Sequence, residues 1–122
     1  MKRAERIAAL SALASARRDA DLARLAAVAA RLSGALNARD ELAAALAHET
    51  NRVQEAPDLP ALKALDAHVL LAERARGALE AGIVRLTAEK EQQRRLCARS
   101  FGRADVLDHL HAQLKAARRR IG

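Results

Sequence analysis

Few residues in this sequence could do chemistry, and their spacing works against it. The 122 residues include four His, one Cys and no Tyr or Trp. His109 and His111 are two apart, which on a helix directs them to different sides; residues that share a helix face are three or four apart, so this pair does not chelate a metal. His48 and His68 are better placed if the chain folds back between them, because they then fall at one level with Glu49 and Asp66 nearby. Two imidazoles with incidental carboxylates lack the tight ligand spacing of a metal centre, and a solvated polar surface is expected there. Nor is there a glycine-rich phosphate loop, or a Ser or Cys placed with a His and an acid. The expectation is a protein that is not an enzyme, with no catalytic residue, no metal and no cofactor.

Cys97 has no partner for an intrachain disulfide, which fits a reducing cytoplasm. No run approaches the length of apolar chain that crosses a bilayer, so no transmembrane segment is expected and any membrane contact is peripheral. Lys2, Arg3 and Arg6 followed by Ile7 to Ala16 imitate a secretory leader, but Glu5 interrupts the basic stretch and Arg17-Arg18 would follow the cleavage point. The start of a helix fits these residues better.

The elements that carry these residues are written in the apolar pattern. The chain is 51% hydrophobic and 1% aromatic, so its apolar mass is Ala and Leu, which suits a narrow seam between helices rather than a thick core. Leu22, Leu25, Ala29, Leu32, Leu36, Ala43, Leu46 and Val53 recur at alternating steps of three and four, with Arg39 and Thr50 at the remaining stripe positions. A second stripe runs through Leu62, Leu65, Val69, Ala72, Leu79, Ile83, Leu86 and Cys97, with Arg76, Lys90 and Gln93 as polar exceptions. Between them stand the chain's two prolines, Pro57 and Pro60. Pro57 disfavours helix at Ala56, Pro60 suits a first helical position, and Asp58 carries the charge a helix start favours.

This predicts an all-α protein in which two long helices form an antiparallel coiled-coil hairpin: a first arm over 3–55, a turn at 56–60 and a second arm over 61–121. Facing residues of such a hairpin have numbers that add to a constant. Val53 with Leu62, Leu46 with Val69, Leu36 with Leu79, Leu32 with Ile83 and Ala29 with Leu86 all give 115, which centres the turn between Pro57 and Asp58. Arg39 and Arg76 also add to 115 and would face each other unless they reach outward to Asp40, Glu73 or Glu80. Toward the chain ends Ile7, Leu10, Leu107, Leu110, Leu114 and Ile121 lie on or beside the extended seam. Ser100-Phe101-Gly102 predicts a kink or break in the second arm, since Gly inside a helix costs about 1 kcal/mol against Ala.

Charge divides the same hairpin. Residues 1–18 hold five basic and one acidic side chain, residues 94–122 hold eight and two, and the stretch between is slightly acidic. Folding back brings both ends together, so Lys2, Arg3, Arg6, Arg17, Arg18, Arg94, Arg95, Arg99, Arg103, Arg118, Arg119 and Arg120 would form one basic, partner-binding end. Such an end can meet an acidic protein, nucleic acid or an anionic surface. The lack of interleaved aromatics and of a recognisable reading motif argues against nucleic acid.

The Met1-Lys2-Arg3 start, the Ala/Leu/Arg-rich first helix, the turn, the returning helix and the Arg-rich end with Phe101-Gly102-Arg103-Ala104 together resemble the FliJ family of flagellar and type III secretion export-apparatus proteins, the stalk proteins of the export ATPase. The resemblance implies a two-helix coiled coil whose terminal end enters an ATPase hexamer, with further contacts to the membrane export gate and to substrate chaperones, at the inner face of the membrane. It also implies that Arg3, Arg6, Arg99, Arg103 and Arg118 to Arg120 face acidic or carbonyl-lined surfaces of the ring pore. A generic coiled-coil scaffold fits the local features equally.

Overall fold

A computed structural model of the chain describes residues 2–121. They form two helices, α1 (Arg3–Glu55) and α2 (Leu59–Ile121), which pack against each other as an all-α hairpin, with no strand among the described residues. The turn is shorter than the expected 56–60, because Asp58 starts α2 earlier. Its carboxylate accepts the N–H of Ala61 at 2.7 Å and its carbonyl accepts the N–H of Leu62 at 3.0 Å, the two bonds that define a helix cap. Leu59 is therefore already helical, and Pro60 lies in the first turn, where its missing N–H leaves no bond unmade.

The chain divides into two compact units. One, Ala29–Ala88, contains the turn. Its seam is the expected one: Val53 and Leu86 are buried, and Leu32, Leu36, Leu46, Leu65, Val69, Ala72, Leu79 and Ile83 are half-buried. Two positions differ. Leu42 takes the inward place expected of Ala43, and Leu62, beside the turn, remains exposed. Arg39 and Arg76 line one groove, consistent with facing positions, and both turn their guanidinium groups outward, to Asp40 at 3.9 Å and Glu80 at 3.8 Å. Each cation thus stays in water while its stem covers apolar surface.

The other unit comprises the residues up to Val28 and those from Glu89 onward. Its seam is more polar than expected. On α1 it runs through Ile7, Ser11, Ala14, Arg18, Asp21 and Leu25, and on α2 through Gln93, Cys97, Ser100, Ala104, Leu107, His111 and Leu114. Leu22, expected to begin the stripe, is 40% exposed, and its neighbour Asp21 points inward at 2%. Nor does α2 break at Ser100-Phe101-Gly102; it is continuous there. The seven-residue repeat carries small Ser100 and Ala104 into the seam, while a Cβ at Gly102 would meet nothing within 4 Å. The glycine lies on the outer side, where the packing of its neighbours offsets its weak helix preference.

Candidate functional site

Counting from the sequence, the terminal unit holds 15 of the 22 Lys and Arg and 7 of the 15 Asp and Glu, a net charge of about +8 against the chain's +7. All twelve basic residues expected to bind a partner fall in this unit, and their surroundings differ. Arg17 and Arg24 both pair with Asp21, at 3.8 and 3.0 Å, and Arg18 pairs with Asp19 at 3.4 Å. Arg18 also lies over the ring of Phe101, 5.5 Å from its centre. That cation–π contact occupies the chain's one aromatic side chain.

Arg94 and Arg95 share Glu91, at 2.7 and 3.4 Å. The hydrogen bond from Arg94 holds the Glu91 carboxyl below its usual range, aided by the positive charges of Arg94 and Arg95. The same bond raises the Arg94 guanidinium. Lys2, Arg3, Arg6, Arg99, Arg103 and Arg118 to Arg120 are exposed, and no ion pair among the described residues engages Arg3, Arg6, Arg99, Arg103 or Arg118 to Arg120. These unengaged cations are the ones with charge available to a partner.

Between the two helices of this unit lies a polar layer that the stripe reading missed. Asp21 accepts the hydroxyl hydrogen of Ser100, and its backbone carbonyl accepts from the Gln93 amide at 3.2 Å. Helical side chains lean toward the N-terminus and carbonyls point toward the C-terminus, so one residue can reach two α2 positions a heptad apart. Ser11 donates to Asp108 at 2.5 Å, a third bond across the same pair of helices. Counting back from Leu25 by alternating steps of four and three yields Asp21, Arg18, Ala14, Ser11 and Ile7. That count was the available signal, and the apolar character of Leu22 masked it.

An open groove of about 770 Å³ runs over this layer between the two helices. Leu10, Leu13, Ala14, Val106 and Leu107 supply its apolar surface, Ser100 and Gly102 its small residues, and Arg17, Arg99 and Arg103 its cations. Leu10, which was expected beside the seam, is half exposed on this face, as are Leu13 and Val106. At the outermost end, Ile121 is exposed as well.

The histidines stay apart from this surface. His48 and His68 line one groove in the other unit, with Glu49, which is ion-paired to Arg52 at 2.7 Å. His109 bonds to Gln113 on its own helix, and the buried Nδ1 of His111 has no partner among the described residues. No group of three or more His, Cys, Asp and Glu among the described residues is arranged to hold a metal ion, and Cys97 is buried and free. No described helix is long and apolar enough to cross a membrane. Comparison of the chain with protein families, with curated proteins and with solved structures yields no match.

Proposed function

We propose that this chain is a non-enzymatic coiled-coil adaptor that docks on a protein partner through its basic terminal unit, acting as the stalk of a flagellar or type III export ATPase. The observation that carries the reading is the set of arginines from both ends of the chain, in one unit, that have no carboxylate of their own to neutralise them. Exposed cations in excess raise encounter rates with an acidic surface and select its sign. Phe101 is already engaged by Arg18, which leaves no aromatic platform for stacked bases. Contacts with the export gate and with substrate chaperones, in the cytoplasm at the inner face of the membrane, belong to the same proposal.

The test is the ATPase itself. Purified cognate export ATPase should form a stoichiometric complex with the chain, and its turnover should rise on addition of the chain. Changing Arg3, Arg6, Arg118, Arg119 and Arg120 together to Glu should abolish that rise while leaving helicity intact. Unchanged stimulation removes the pore role; absence of any complex removes the stalk and leaves the scaffold.

A further inference from the structure

The groove over the Asp21 layer has a composition that selects its occupant. Leu10, Leu13 and Val106 are 50%, 67% and 59% exposed, yet none of them serves the seam, which Ser11, Ala14, Ala104 and Leu107 complete without them. On α1, Leu10, Leu13 and Arg17 follow at steps of three and four; on α2, Arg99, Arg103 and Val106 follow at four and three. Each set lies on one helix face. Because the helices are antiparallel, the groove is apolar toward the chain ends and cationic toward the turn, with the same order on both walls. Ala14 and Ser100, inward of both walls, carry small side chains, so the floor between the walls is low enough to admit a third helix.

We infer that this groove receives an acidic amphipathic helix of a protein partner. The inference rests on the protein-docking reading of the terminal unit and adds the chemistry of what docks there. Charge argues for it directly: Arg99 and Arg103 make no ion pair among the described residues, and Arg17 reaches Asp21 only at 3.8 Å, where Ser100 and Arg24 already hold the carboxylate. A second copy of the same unit, carrying about +8 itself, would be repelled. A lipid surface suits a helix whose cations flank an apolar face along its whole length, whereas here cations and leucines succeed one another along the groove axis. That axial order matches a helix with two or three apolar anchors over about two turns and carboxylates one turn beyond them.

The experiment uses the full chain and a panel of labelled synthetic helices of roughly 14 residues, long enough to span the groove. One has Leu anchors at helical spacing followed by a Glu pair; a second replaces Glu with Lys; a third keeps the composition and scrambles the anchor spacing; vesicles of phosphatidylserine and phosphatidylcholine form the last arm. Saturable binding of the first peptide alone is expected, with amide resonances shifting at Leu10 to Arg17 and Arg99 to Val106. Leu13→Asn with Val106→Asn, and separately Arg99→Glu with Arg103→Glu, should each weaken it about tenfold or more, as loss of anchor contacts does. These side chains are exposed, so helicity by circular dichroism should hold. Equal binding of the scrambled or Lys peptide, no binding at all, shifts confined to other residues, or vesicle binding lost in the same variants would each overturn the proposal. Should the Glu peptide bind as expected while the export ATPase is unaffected by the chain, the stalk reading fails and the groove stands; ATPase stimulation without peptide binding sinks the groove alone.

Discussion

Ser100 on α2 donates its hydroxyl hydrogen to the carboxylate of Asp21 on α1, and that carboxylate is the most deeply buried charge among the described residues. A hydrogen bond to a buried charge contributes more than a neutral one, and without the Ser100 hydroxyl the Oδ2 atom of Asp21 keeps only Arg17 at 3.8 Å, Arg24 being on Oδ1. Ser100→Ala should therefore destabilise the chain by about 2 kcal/mol. Replacing both partners, Asp21→Leu with Ser100→Ala, should recover most of that loss or exceed the wild type, since a well-packed apolar pair can match a buried polar one. Urea denaturation followed by circular dichroism measures both, and a double variant as unstable as the single one would contradict the argument.

The cap at the turn makes a second prediction. Asp58 supplies both the side-chain and the main-chain bond that begin α2. Asp58→Ala should cost about 1 kcal/mol and Asp58→Asn only a few tenths, read from the same denaturation curves.

Neighbouring small residues on α2 should respond in opposite directions. At Gly102 an added Cβ enters open space on a continuous helix, so Gly102→Ala should stabilise by about 1 kcal/mol. Two residues on, Ala104 is 1% exposed against α1. Ala104→Leu should force the helices apart and destabilise by roughly 1 to 3 kcal/mol. Thermal melting of the two variants should bracket the wild type.

Glu91 provides a titration test. Because Arg94 holds its folded-state pKa below the unfolded value, the stabilisation it brings is present above the unfolded pKa and lost as pH falls through the lowered one. Carbon-detected NMR of the Glu91 carboxyl should give a midpoint below the ordinary glutamate range. Arg94→Gln should move that midpoint upward, and high salt should narrow the difference, as expected for a pair on the surface.

Periodicity carried the helices, the turn and most of the buried stripe near it, because Ala29 to Leu86 is where apolar residues occupy most stripe positions and the two prolines stand together between the stripes. It was less informative toward the ends. There Leu22 and Asp21 both satisfy a step of three or four from Leu25, and the apolar residue is the natural choice until Ser100 and Gln93 are known to face Asp21. The expected break at Gly102 followed from local propensity, which the heptad packing of Ser100, Ala104 and Leu107 overrides. Of the candidate interface, the cations were legible as charge. The apolar half was not, because Leu10 reads as a seam residue when only its type is counted, and Leu13 and Val106 fall outside both stripes.

A seam of alanine and leucine is nearly translation-invariant: sliding α2 along α1 by seven residues leaves most apolar matches intact. Asp21 removes that degeneracy. A slip one way would set its carboxylate against apolar Leu107 and a slip the other way against the longer Gln93, which would give up its own bond to the Asp21 carbonyl, so the alignment with Ser100 is favoured over both. The polar layer is an indexing mark, and it implies that insertions or deletions between Asp21 and Ser100 survive only when the residues gained or lost on the two arms compensate each other.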